Sequence, residues 1–75
     1  MELKDMVRMA NQIAAFYHGY PADEAHKEIA GHINRFWEPR MRDDFFKHLA
    51  LGGAGLDPAV IAAASGIHPP SKAAA

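Results

Sequence analysis

Leu3, Met6, Val7, Ala10, Ile13, Ala14 and Tyr17 recur at the three- and four-residue spacing of a helix with one buried face. The pattern predicts a helix over about 3–17. Gly19 stands where a left-handed C-cap belongs, and Pro21 follows it. Met9 and Phe16 lie beside this stripe and flank Ile13, which widens the apolar arc to about half the circumference, beyond the ~100° of one packing face. Either two neighbouring helices wrap this one, or Met9-Ile13-Phe16 is a second seam presented to another protein.

The next segment repeats the pattern. Pro21 suits the first turn of a second helix, because its missing N–H has no intrahelical partner there. Asp23 and Glu24 follow, where the helix dipole favours carboxylates. Ala22, Ala25, Ile29, Ile33 and Phe36 form its stripe, with Trp37 at the edge. Gly31 falls on the polar side and lowers helix propensity by roughly 1 kcal/mol relative to alanine without breaking the pattern.

This helix must stop near Trp37, since Glu38 precedes a proline and is pushed out of the α region. Pro39 then opens a third helix running to about Ala50 and burying Met41, Phe45 and Leu49. The connection is so short that the corner is tight. Arg40 and Arg42 lie in its first turn, where the dipole disfavours cations, and Asp43 and Asp44 offset this only in part. The two arginines are either paired across the corner, with Glu38, or reserved for a partner's carboxylates. Pro39 and Phe36 are expected to set the fold, and Arg40, Arg42 and Trp37 to face the partner.

The glycine cluster from Gly52 to Gly55 reads as a flexible connector. Asp57-Pro58 is an N-cap followed by proline at the first helical position, opening a short helix through Val60, Ile61 and Ala64 that Gly66 stops. The expected fold is thus all-α, a small bundle of three main helices plus a short C-terminal helix. It occupies one domain over residues 1–66, and residues 67–75 form a low-complexity tail, expected to be disordered when free.

Composition sharpens this picture. A chain of 75 residues buries only about 60% of the surface its unfolded form exposes. Small domains commonly add disulfides, a metal or a partner, and with no cysteine a partner is the first candidate. The formal charge of −1 and a pI near 6.5 give no field that would gather nucleic acid or anionic lipid. No basic, apolar leader and no run of ~20 apolar residues is present, so a soluble, cytoplasmic protein with no membrane association is expected.

Candidate chemistry changes little. The five histidines include no pair at the i, i+4 spacing that places two imidazoles on one helical face, so no metal site is expected. His26 falls within the apolar arc and is expected to bond a backbone carbonyl. The glycine run lacks the Lys-Ser/Thr of a phosphate-binding loop and no strand precedes it, so it reads as a hinge. Ser65 and Ser71 have no evident base, and the acidic pairs Asp23/Glu24 and Asp43/Asp44 are explained by helix dipoles. No catalytic or cofactor-binding residue is assigned. Arg35, Arg40 and Arg42 with Trp37 suggest either a nucleic-acid patch or a protein-binding hot spot. The interrupting acids and the acidic pI favour the protein. The candidate partner-binding residues are therefore Trp37, Arg40, Arg42, Arg35, Met9 and Phe16.

Three stretches carry a resemblance to a known family: Val7-Arg8-Met9-Ala10-Asn11-Gln12-Ile13-Ala14, then Tyr20-Pro21, then Ile33-Asn34-Arg35-Phe36-Trp37-Glu38-Pro39-Arg40-Met41-Arg42, with Gly52-Gly53 and Gly55-Leu56-Asp57-Pro58 completing the order. From about Leu3 to Ala64 the chain resembles the delta subunit of the soluble, NAD-dependent formate dehydrogenases that contain molybdenum or tungsten. The Pro-Pro and alanine tail is not part of the motif. The resemblance implies a non-catalytic accessory subunit that binds the catalytic alpha subunit and supports assembly, stability or maturation. It further implies beta and gamma subunits in the same complex, with bis-molybdopterin guanine dinucleotide, iron–sulfur clusters, FMN and NAD carried by those larger chains and no cofactor on this one. The alternative is a free-standing regulatory or nucleic-acid-binding helical module.

Overall fold

A computed structural model describes residues 2–70. Four helices follow in order: α1 (Leu3–Phe16), α2 (Ala22–Phe36), α3 (Pro39–Ala50) and α4 (Pro58–Ala63), the last running into a single 3-10 turn at Ala64–Gly66. Among the described residues there is no strand, and the all-α bundle expected from the periodicity is the fold observed. The core joins Met6 and Ala10 of α1, Ile29 and Ile33 of α2, Phe45 of α3 and Val60 of α4, all fully buried. Small residues let α2 and α4 approach closely. A Cβ on Gly66 would lie 3.1 Å from the Cβ of Ala30, so a side chain here would crowd α2.

The end of α1 differs from the expectation. The N–H groups of Tyr17 and His18 reach back three residues, to the carbonyls of Ala14 (3.1 Å) and Ala15 (3.2 Å). This tightened last turn satisfies the carbonyls without a left-handed residue. Gly19 accordingly has no positive φ, a feature confined among the described residues to Gly52, Gly53 and Gly55. Pro21 stands at the N-cap of α2 rather than inside its first turn, and its carbonyl accepts from the Ala25 N–H at 2.9 Å.

At the corner, Trp37 and Glu38 are both extended, with φ/ψ of −85°/134° and −66°/155°, and Pro39 opens α3 as expected. The roles expected of the two aromatics are exchanged. Trp37 is 6% exposed and its ring meets Phe45 edge-to-face at 6.4 Å, whereas Phe36 is 67% exposed. The reason is the bend itself. Phe36 is still on the helical trace of α2, at the edge of its stripe. Trp37 has left it, and the extended backbone turns the indole back under α3.

The glycine connector is tied down rather than hinge-like. After α3, the Gly53 N–H bonds the His48 carbonyl and the Gly52 N–H bonds the Leu49 carbonyl, both at 3.0 Å, which is the paired bonding of a Schellman cap. His48 Nε2 donates to the Ala54 carbonyl at 2.7 Å, so the histidine that secures a backbone carbonyl is His48 and not His26. Gly53 is buried at φ +66°, with the Leu49 and Leu56 side chains 3.4 and 3.5 Å from where a Cβ would lie. Gly53→Ala should therefore lower stability by roughly 1–2 kcal/mol, the cost of a left-handed alanine. A urea midpoint equal to that of the parent chain would contradict this backbone role.

Asp57 caps α4 by accepting from the Ala59 N–H at 2.8 Å, as its place before Pro58 predicts. The fold extends past the expected boundary at residue 66. Ile67 is 3% exposed and belongs to the core, and Pro70 is buried. The remainder of the expected tail, residues 71–75, lies outside the described residues.

Candidate functional site

Two arrangements use polar or exposed residues in ways that helix periodicity alone does not dictate. One is internal. The Asn11 side-chain amide donates to the Gly55 carbonyl at 2.9 Å and accepts from the Asp57 N–H at 2.8 Å. Asn34 repeats the geometry one helix later, donating to the Gly66 carbonyl at 2.9 Å and accepting from the His68 N–H at 2.8 Å. Each asparagine thus pairs with a carbonyl and with the N–H two residues on, as a neighbouring strand would. Arg42 adds a third tie, its Nη1 donating to the His68 carbonyl at 2.9 Å.

Arg42 therefore turns inward, against the expectation that it faces a partner. Its Nε is buried without a hydrogen-bond partner among the described residues. Neither Arg40 nor Arg42 forms an ion pair with Glu38; the ion pairs among the described residues are Lys4–Glu2, Arg8–Asp5 and Lys47–Asp43. The backbone leaving the 3-10 turn brings the His68 carbonyl to the guanidinium, and that acceptor is invisible to local sequence rules. Arg40 is exposed. Asn11 and Asn34 carried no role in the sequence reading, although a signal existed. Asparagine is a poor mid-helix residue, yet each directly follows a buried apolar position, Ala10 or Ile33.

The second arrangement is external, a groove of about 400 Å³ between α1 and α2. Met9, Gln12, Ile13 and Phe16 line it from α1, joined by Tyr17, and His32 and Trp37 close the other side. The structure thus brings together the Met9-Ile13-Phe16 seam and one edge of the Trp37 indole. Phe16 is 74% exposed on the rim, its ring edge-to-face with Tyr17 at 4.9 Å. Beside the lining residue His32, the exposed Phe36 ring lies 4.8 Å from the imidazole, and the Arg35 guanidinium sits 5.9 Å over the Phe36 face.

What this groove offers a ligand is apolar area with a cationic edge. Fully burying one phenylalanine side chain is worth about 1.5–3 kcal/mol. Among the described residues no cluster of three or more His, Asp or Glu side chains is placed to hold a metal ion, and no helix is long and apolar enough to cross a membrane.

Searches among curated proteins and among solved structures returned no significant match. A family model does match, that of the NADH-dependant formate dehydrogenase delta subunit FdsD, over residues 5–64. That span takes in the whole groove, both asparagines and the corner. The chain belongs to the FdsD family of formate dehydrogenase delta subunits.

Proposed function

We propose that this chain is a non-catalytic accessory subunit that docks on the catalytic alpha subunit of an NAD-dependent formate dehydrogenase and supports assembly, stability or cofactor-loaded maturation. The observation that carries the reading is the open groove lined by Phe16, with the exposed Phe36 ring packed on its lining residue His32, in a chain of the formate dehydrogenase delta-subunit family. The bis-molybdopterin guanine dinucleotide with molybdenum or tungsten, the iron–sulfur clusters, FMN and the NAD site belong in this proposal to the alpha, beta and gamma chains. With no cysteine, this chain supplies no thiolate for a cluster.

The docking residues in this reading are Met9, Phe16 and the exposed part of the corner, Phe36 with Arg35 and Arg40. Trp37 contributes by shaping the groove floor and Arg42 by holding the C-terminal segment. The alternative of a nucleic-acid-binding module loses support for the same reason. Of the three arginines that suggested it, Arg42 is engaged with the His68 carbonyl.

The test is recovery of the larger subunits on a tagged copy of this chain. Phe16→Ala with Phe36→Ala should weaken recovery by at least about tenfold, as expected for two rings at an interface centre. The helical circular dichroism of the double variant should be unchanged. Undiminished recovery with a folded double variant would refute docking through the groove.

A further inference from the structure

The groove also indicates what enters it, and this step rests on the docking reading above. At about 100° per residue, Asn11 and Phe16 lie roughly 140° apart around α1, and His32 and Asn34 roughly 160° apart around α2. Asn11 and Asn34 face the segments that flank α4, bonding Gly55 and Asp57 before it and Gly66 and His68 after it. Phe16 and His32 line the groove. The groove is therefore the cleft between α1 and α2 on the side opposite α4, which fills the corresponding cleft on its own side.

The lining decides between a helical and an extended occupant. Its walls are helices whose backbone N–H and C=O groups are bonded internally, and its polar groups are side-chain ones, on Gln12 and His32 with the Tyr17 hydroxyl and the Trp37 indole N–H. An extended segment would bring unpaired backbone groups to a surface with few partners for them, whereas a helix arrives with its own already satisfied. Charge narrows the chemistry further. Arg35 is exposed over the face of Phe36, whose ring adjoins the lining residue His32, and it makes no ion pair among the described residues. Glu28, two turns earlier on the same edge, is not paired with it. By contrast Arg8 is neutralised by Asp5 at 3.1 Å and Lys47 by Asp43 at 3.2 Å.

We infer that the groove between α1 and α2 receives one amphipathic helix of the partner subunit. Its apolar side chains enter between Phe16 and Phe36, and a carboxylate on its flank meets Arg35. The arrangement is that of α4 repeated on the opposite face by a segment from another chain.

A photo-crosslinking residue at position 16 of the tagged full-length chain, co-expressed with the larger subunits, tests this, with the same probe at the exposed position Ala62 as the opposite-face control. The probe at 16 should capture a segment of another subunit with apolar residues at i, i+3 or i+4 and i+7 and an Asp or Glu within one turn. The probe at 62 should not capture that segment. Capture of an irregular segment, or of a second copy of this chain, would overturn the inference, as would capture from position 62 alone. Arg35→Glu should lower recovery by about tenfold while Arg35→Lys keeps it. Equal recovery with Arg35→Glu would remove the carboxylate. Absence of the larger subunits from the parent preparation would remove the docking reading as well. Their presence, with position 16 silent, removes only the helix.

Discussion

Trp37→Ala is expected to remove about 3–5 kcal/mol of folding stability, the usual cost of emptying the site of a large buried aromatic. A domain of 75 residues has roughly 4–11 kcal/mol in total. The loss therefore takes about a quarter or more of what holds the chain folded. The indole is 6% exposed and meets Phe45, which is itself fully buried, so the cavity would open at the junction of α2 and α3. Urea unfolding followed by far-ultraviolet circular dichroism measures this directly. A midpoint within error of the parent would show that the indole does not support the core. The neighbouring Phe36→Ala is the informative control, since a 67% exposed ring should cost within about 0.5 kcal/mol. The contrast also governs how binding experiments are interpreted. Loss of complex recovery with Trp37→Ala would report unfolding, whereas the same loss with Phe36→Ala would report lost contact.

Asn11→Ala combined with Asn34→Ala should produce the other large effect. Each side chain makes two hydrogen bonds at 2.8–2.9 Å to the C-terminal backbone. At about 0.5–1.5 kcal/mol per bond, each substitution should cost roughly 1–3 kcal/mol and the pair roughly 2–6. The two asparagines sit on different helices and share no bonding partner, so the costs should add to within about 0.5 kcal/mol. Hydrogen exchange provides a local check: the Asp57 amide should lose protection with Asn11→Ala and the His68 amide with Asn34→Ala. A double variant as stable as the parent would mean that these ties only decorate a segment held by Ile67 and Val60. Asn34→Asp is a finer probe. It keeps the acceptor for the His68 N–H but sets a carboxylate against the Gly66 carbonyl, and it should be destabilising too.

The helices and the corner were legible because they rest on local rules. The spacing of Met6, Ala10 and Ala14 and of Ala25, Ile29 and Ile33 fixed the buried faces of α1 and α2. Pro39 and Pro58 marked two helix starts, and Asp57 marked a cap. The external groove was half legible. Met9-Ile13-Phe16 was visible as surplus apolar arc, but its opposite wall was not, because His32 and Trp37 join it only once α2 packs against α1. The misreadings share one cause. Which of Phe36 and Trp37 is buried depends on the backbone after the helix ends. The direction of Arg42 depends on a carbonyl 26 residues away. The glycine connector looked flexible because the groups that secure it, Asn11 and His48, lie outside it. Pattern reading resolves what a residue does within its own helix, and these residues act across helices.

The ties to Gly55, Asp57, Gly66 and His68 have a consequence for the order in which the molecule can be completed. They join residues 46, 44, 34, 32 and 26 positions apart, with one donor or acceptor set from each of α1, α2 and α3. None of the bonds to His68 can form until that residue has left the ribosome. Until then α4 is without the strap that Asn34 and Arg42 hold behind it. Closing such loops is inexpensive in chain entropy, since the cost rises only with the logarithm of length. Timing is therefore the constraint. The strap at Gly66 and His68 is the last part of the described fold to close, after α1, α2 and α3 have all been made.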